Sequence, residues 1–329
     1  MLKVAVIIPA LNEEHYIEPC LESIRNQTFP FEMIDVIVAD GGSNDRTKAI
    51  VTKFASKYNN VRLLDNPARI QSAAFNLGVK KSDAPYVIRL DAHVSYDEHY
   101  IERCLYHLET NPEIGDVGGI CRTKVRRSGI IPESIAILCQ SRFGIGGAAF
   151  RVGATAGYVD TVPFGAFPRK VINDVGGMRE DLARAEDNEY VARIKKAGYK
   201  IYLDPLIIST YFARDTLAGI IRQMYANGKS IGQLFYVDRS AIGLRHFVPL
   251  LFVLGLLFTA LGTLVWSSFV YLFFLIIALY IVANVFATCL ECKKSDWKYI
   301  IVLPLLFTLV HISYGVGTIS GLIKYRFRY

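Results

Sequence analysis

The sequence predicts an α/β domain on a mostly parallel central sheet, followed by membrane helices. Three observations predict this. Apolar, β-branched runs alternate with helical stretches through residues 4–91, the pattern of parallel strands crossed over by helices. The strands run into polar residues at Pro9–Glu13, Asp40–Ser43 and Asp91–His93, where such sheets bind ligands. Near the C-terminus, three long runs carry no charge at all.

The elements follow in order. VAVIIPA (4–10) is a continuous apolar strand, and Glu13–Asn26 reads as a helix. MIDVIVAD (33–40) is the second strand. It ends in GGSNDRT, where Asp45 suits a cap for a helix from Thr47 to Tyr58. VRLLD (61–65), a helix over Gln71–Val79 and the strand YVIRLD (86–91) continue the alternation. Glycine-broken IIPESIAILCQSRFGIGGAAF (130–150) either touches lipid or is buried under the sheet. Residues 214–236 place Leu217, Ile220, Ile221, Met224, Ile231 and Phe235 on one helical face, which predicts an interfacial helix weakened by Gly219, Gly228 and Gly232.

The chain has 329 residues, 52% of them hydrophobic, more apolar than an ordinary soluble enzyme. Runs 247–266, 269–288 and 300–323 are uncharged. About 20 residues suffice to span a hydrocarbon core of roughly 30 Å. This predicts a polar domain over 1–238 and a membrane region over 239–329. Residues 245–329 hold seven Lys/Arg against two acids, whereas residues 1–244 hold 30 against 28. The basic excess therefore reports juxtamembrane anchoring, and no nucleic-acid partner is expected. MLKVAVIIPALNEE is not a secretory leader, because acids follow its short apolar run. The polar domain is expected in the cytosol, on a multi-pass protein of the cell (inner) membrane. The six cysteines suggest no disulfide framework, and the lone CxxC at Cys289–Cys292 suggests no zinc site. Only Ser267–Ser268 separates the first two runs, which predicts a tight hairpin. Lys324, Arg326 and Arg328 would lie outside after a full third crossing, so 300–323, with Pro304, Gly315, Gly317 and Gly321, is read as re-entrant or in-plane.

The position after the first strand reads PALNEE, without the GxGxxG of a dinucleotide-binding domain, and no Walker P-loop occurs. Acids at successive strand ends suit ribose and base donors together with a metal-bridged diphosphate. In RLDAHVS, His93 stands where a second carboxylate would be routine. Neutral imidazole ligates metals and favours Mn²⁺ over Mg²⁺, yet it would also serve as a plain hydrogen-bonding group at a diphosphate.

IIPALNEE, VIVADGGSNDRT, RLDAH and the block FGAFPRKVINDVGGMREDLARAEDNEYVARIKKAGYKIYLDP resemble, in order and spacing, family 2 glycosyltransferases of the GT-A fold. The nearest resemblance is to the membrane-attached exopolysaccharide branch with succinoglycan-type β-1,3-glucosyltransferases, over roughly residues 3–235. The resemblance implies inverting transfer of a sugar from a nucleotide diphosphate donor, usually UDP-linked. Carried onto this chain, it places Pro9, Ala10, Glu13, Asp40, Arg69, Asn76 and Asp91 around the donor nucleotide. It places Asp91 and His93 at a Mn²⁺ or Mg²⁺ ion. Asp187 in the AED at 185–187 becomes the base, with Glu186 beside it, although five acids in this stretch also suit a solvated helix face. Gly165, Arg169 and Arg222 fall to the acceptor or a phosphate. RQMYANGKS (222–230) lacks the Gln-x-x-Arg-Trp of processive synthases, which favours single-sugar transfer to a polyprenyl-diphosphate-linked acceptor. Transfer directly to polyprenyl phosphate or diacylglycerol, and a non-catalytic membrane scaffold, are the alternatives.

Overall fold

The structure, a computed structural model, describes residues 2–328 and divides into two compact units. The first comprises Met1–Arg122 and Gly153–Phe212, and the second comprises Thr123–Val152 and Ala213–Tyr329. Segment 123–152 and residues 213–238 thus group with the apolar C-terminal helices and not with the sheet.

In the first unit, β1 (Val4–Ala10), α1 (Ile17–Arg25), β2 (Ile34–Asp40), α2 (Thr47–Ala55), β3 (Val61–Asp65), α3 (Gln71–Lys81) and β4 (Tyr86–Arg89) alternate as the sequence predicts. All four strands are parallel, in the order β3-β2-β1-β4. Val and Ile side chains of β1 and β2 are buried on both faces, which is why these runs are continuous rather than alternating. Register matters for the site. Ala10 pairs with Asp40 and Asp40 with Asp65, while Ile7 pairs with Arg89, so the strand ends form one edge.

The chain continues through β5 (Val94–Tyr96), α4 (Tyr100–Thr110) and β6 (Ile114–Lys124). It then enters the second unit with α5 (Ile130–Gln140), α6 (Arg142–Ile145) and α7 (Ala149–Val152). It returns with β7 (Gly157–Tyr158), β8 (Ala166–Pro168), α8 (Arg169–Val175), α9 (Glu186–Lys196) and β9 (Lys200–Phe212). The nine-stranded sheet runs β3-β2-β1-β4-β8-β6-β9-β5, with β7 beside β9. Its second half is antiparallel where β8 meets β4 and where β5 and β7 meet β9. Strands of two or three residues leave no periodicity, so β5, β7 and β8 are not legible in sequence.

The second unit adds α10 (Leu217–Val237), α11 (Val248–Gly262), α12 (Phe269–Lys294) and α13 (Val302–Tyr325). Three helices, Leu244–Gly262, Phe269–Lys294 and Val302–Tyr325, are long and apolar enough to cross a membrane. The connection after α11 is longer than two serines, because the first helix stops at Gly262. No break occurs in α13 either. Pro304 falls in its first turn, where a missing N–H costs nothing, and the expected re-entrant interruption is absent. Its glycines serve a different purpose. A Cβ on Gly317 would collide with the Tyr225 carbonyl, and one on Gly228 with the Tyr314 carbonyl, so α10 and α13 approach backbone to backbone.

The core of this unit joins Ile135 and Leu138 of α5, Ile220 and Met224 of α10, and Leu303, Phe307 and Val310 of α13. Ile135, Leu138 and Cys139 of segment 130–150 are therefore buried against these helices, and part of the apolar face of α10 meets protein. Tyr299 donates to Glu133 at 2.6 Å and Lys298 pairs with the same carboxylate at 3.1 Å, tying the turn before α13 to α5.

Candidate active site

A cavity of ≈ 190 Å³ opens at the carboxyl edge of the parallel strands, among Pro9, Ala10, Leu11, Glu13, Gly41, Asn66, Arg69, Gln71, Asp91 and His93. Its rim is stapled by hydrogen bonds between loops. Asn12 N–H donates to Ser43 Oγ at 2.9 Å, Asn44 N–H to Asn12 Oδ1 at 3.0 Å, and Glu13 N–H to Thr47 Oγ1 at 2.8 Å. Asp45 accepts from the N–H of Thr47 at 2.9 Å and of Glu14 at 3.1 Å, a cap as expected. Asn12 and Arg69 hold left-handed backbones, at φ 57 and 59, which side-chain-bearing residues rarely adopt outside constrained functional turns. Gly42 holds a left-handed backbone at φ +83, which favours glycine, and the Arg69 guanidinium lies 3.0 Å from where a Cβ would stand.

Asp40 ends β2 beneath this rim. One carboxylate oxygen, Oδ2, accepts from the N–H of Gly42 at 2.8 Å and of Ser43 at 2.9 Å, with Lys48 Nζ at 3.4 Å. Burial pushes its pKa up, but these bonds outweigh burial and hold it below the usual carboxylate range. The other oxygen, Oδ1, is buried with no hydrogen-bond partner. A buried acceptor left unmet is costly, and it would receive a ligand N–H.

Beyond β4, the Asp91–His93 turn is gripped by Tyr96. Its hydroxyl accepts from Asp91 N–H at 2.8 Å and donates to the Asp91 carbonyl at 3.2 Å. Asp91 Oδ1 is buried with no hydrogen-bond partner, and Arg89 approaches it only to 3.8 Å. His93 Nδ1 lies 3.3 Å from Glu13 Oε1, and its ring packs edge-on against Tyr16 and Tyr211. A carboxylate on one imidazole nitrogen is the usual way of orienting a metal-binding histidine. Among the described residues no three His, Cys, Asp or Glu side chains converge as a complete metal cage. The unmet Asp91 oxygen beside an oriented imidazole nevertheless fits a divalent cation that completes its coordination with diphosphate oxygens.

A second cluster adjoins Asp91. Arg89, the last residue of β4, is 8% exposed, and its Nη1 meets Glu186 Oε1 at 3.2 Å. Glu186 opens α9 and is 4% exposed. Burial, then Asp187, raises its pKa to about 7, while Arg89 works against both. Asp187 next to it is exposed and accepts from Asn188 N–H at 2.9 Å. Ala185 before them is left-handed, at φ 60, which turns the chain sharply into α9. Asp116 of β6 is buried, burial pushes its carboxyl well above the usual range despite Arg89, and its Oδ1 has no hydrogen-bond partner. A Cβ on Gly165 would collide with that carboxylate, so glycine is required there.

The structure thus brings Pro9, Ala10, Glu13, Arg69, Asp91 and His93 together around one cavity, with Asp40 below it and Glu186 and Asp187 linked through Arg89. Three expected site residues are not among those lining the cavity. Both ends of the Asn76 amide bind the Met178 backbone, each at 2.8 Å, and pin the segment before α9 to α3. Arg169 is held by backbone, with its Nη2 buried and without a hydrogen-bond partner. It follows β8, whose Pro168 pairs with Tyr86 at the start of β4, and it donates to the carbonyls of Ala84 at 2.7 Å and Val79 at 3.1 Å. Arg222 lies on α10 in the second unit. Sequence reading missed Asn66 and Gln71 in the cavity wall, and Arg89, Tyr96 and Asp116 behind it. The signal for Arg89 was there, a lone charge inside the apolar run YVIRL.

A family model described as "Glycosyl transferase family 2" matches residues 5–176, more than half of the chain. This chain belongs to glycosyl transferase family 2. It is a glycosyltransferase with a mixed α/β, GT-A-like fold. The succinoglycan biosynthesis protein ExoA of Rhizobium meliloti is 32% identical over 74% of this chain and 74% of its own. A Methanococcus voltae protein is 29% identical over 98% of this chain and 97% of its own. It is named dolichyl N-acetyl-alpha-D-glucosaminyl phosphate 3-beta-D-2,3-diacetamido-2,3-dideoxy-beta-D-glucuronosyltransferase. The mannosyltransferase PcManGT of Pyrobaculum calidifontis, solved with GDP-Man and Mn²⁺, shares the fold at a TM-score of 0.59 and 19% identity, over 96% of this chain and 87% of that one.

Proposed function

We propose that this glycosyltransferase moves a sugar, with inversion, from a UDP-sugar to a polyprenyl-diphosphate-linked saccharide in extracellular polysaccharide assembly. The observation that carries the reading is the cavity that ends at Asp91, whose neighbour Arg89 reaches the carboxylate pair opening α9. Asp40 favours uracil. Its single unmet oxygen matches the one N–H of a pyrimidine edge, whereas guanine presents adjacent donors that would also need Oδ2, already committed to Gly42 and Ser43.

Asp187 is the base. Its exposed carboxylate takes the proton from the acceptor hydroxyl as that oxygen bonds to the anomeric carbon, and the sugar–diphosphate bond breaks with its electron pair on the leaving oxygen. Asp91 and His93 would hold Mn²⁺ or Mg²⁺, which neutralises the leaving diphosphate. Gly165 and Glu186 serve the acceptor side. The apolar helices support a multi-pass protein of the inner membrane with its catalytic domain in the cytosol and an acceptor carried on lipid. The name of the full-length archaeal relative supports a second acceptor, a saccharide on a lipid monophosphate.

The test is a panel of radiolabelled nucleotide sugars given to the full chain in vesicles containing either acceptor class. The expected result is UDP release with one donor and a glycolipid one sugar heavier by mass spectrometry, its new bond inverted. Release of another nucleotide, or retention of configuration, contradicts the reading.

A further inference from the structure

The parallel half of the sheet carries one buried cation at the site edge, and neither half of the reaction explains it. Arg89 sits where β4 ends and is held on several sides. Its backbone N–H donates to the Gly165 carbonyl at 3.1 Å. Its guanidinium spans 3.2 Å to Glu186 on α9 and 3.8 Å to Asp91 beyond β4. Asp187 from α9 adds to the negative field around it. A buried guanidinium is costly unless carboxylates surround it, and here they belong to two different binding duties.

We propose that Arg89 is a positioning residue that couples the two halves of the site, fixing the Glu186 carboxylate of the acceptor half by a direct bond while its charge stands beside the Asp91 carboxylate of the donor half. Two features make this more than a structural ion pair. The side chain is planar and forked, so it sets a direction for the carboxylate it bonds and is not merely a neutralising charge. It also bonds the Glu186 side of the site while standing beyond hydrogen-bond range of Asp91, so the Asp91 oxygen stays open to another electrophile. Arg89 therefore holds the first turn of α9, and with it Asp187, in place beside the donor. Its positive charge meanwhile opposes any cation that binds Asp91.

That opposition supplies a signature that general damage would not produce. The inference rests on the transferase reading above, and the test separates the two. Wild type, Arg89→Lys, Arg89→Met and the double variant R89M/E186Q are compared as full-length protein, by calorimetry of UDP with Mn²⁺ and by turnover. Arg89→Met is expected to lose about 100-fold in turnover, the scale of removing one preorganised electrostatic group. Its affinity for UDP with Mn²⁺ should hold or tighten by up to about 10-fold, because a like charge has left the cation's side. Arg89→Lys should recover part of the turnover. The double variant, which lacks an unpaired buried carboxylate and so guards against misfolding, should lose no more than Arg89→Met alone. Turnover of Arg89→Met within about threefold of wild type, or nucleotide affinity and turnover falling together, overturns the proposal. A wild type that turns over no nucleotide sugar overturns the transferase reading instead, and the binding comparison still decides whether Arg89 opposes a cation at Asp91.

Discussion

Asp40 and Asp91 follow apolar runs, and an acid so placed is aimed at the binding edge by the topology alone. His93 yields a direct prediction. If it ligates, His93→Ala raises the Mn²⁺ needed for half-maximal turnover severalfold, and His93→Asp restores turnover with a shift toward Mg²⁺. Aspartate performing worse than alanine would make His93 a hydrogen-bonding group only. EDTA in excess should abolish wild-type turnover and Mn²⁺ should restore it. Glu186 supplies a prediction in pH. An ordinary glutamate titrates near 4.5, whereas burial raises this one to about 7. Folding therefore takes up a proton between these values, and the stability from protonated Glu186, present below 4.5, is lost as pH rises through 7. Glu186→Gln, neutral throughout, should flatten that part of the unfolding midpoint against pH, and an unchanged profile would place the titration elsewhere. Asn76 and Arg169 lie outside the cavity wall for a definite reason. Their neighbours in space, Met178 and Val79, are set by packing and by the antiparallel β4–β8 pair, which spacing along the chain does not encode.

Elements were legible in proportion to their length. The long apolar strands β1 and β2 announce themselves by continuous burial, whereas β5, β7 and β8 are too short for a period. The glycines of α10 and α13 look like helix breakers in sequence. In the fold they are contact points, since Gly228 and Gly317 each face a carbonyl of the other helix. Gly317→Val should thus destabilise the second unit by about 1–3 kcal/mol, the usual cost of overpacking, read as a lower unfolding temperature in detergent. Gly153→Val, where no atom lies within 4 Å, gives the contrasting control for packing, its cost confined to a left-handed backbone at φ +82. Equal losses at both positions would contradict the close helix approach.

At the scale of the whole molecule, the sequence boundary near residue 238 is a change of composition and not a seam of packing. A cut there removes α13 and uncovers Ile135, Leu138, Ile220 and Met224, all buried on it. The truncated chain should therefore aggregate without detergent, and a monodisperse, detergent-free fragment 1–238 would contradict the two-unit description. The full chain should resist alkaline extraction from membranes. The most direct test of the catalytic account compares wild type with Asp187→Asn in vesicles, measuring sugar transfer to lipid and UDP binding together. Asparagine keeps the shape and removes the base, so transfer should fall by about 100- to 10,000-fold while UDP binds as before. Transfer at near-normal rate by Asp187→Asn would contradict it.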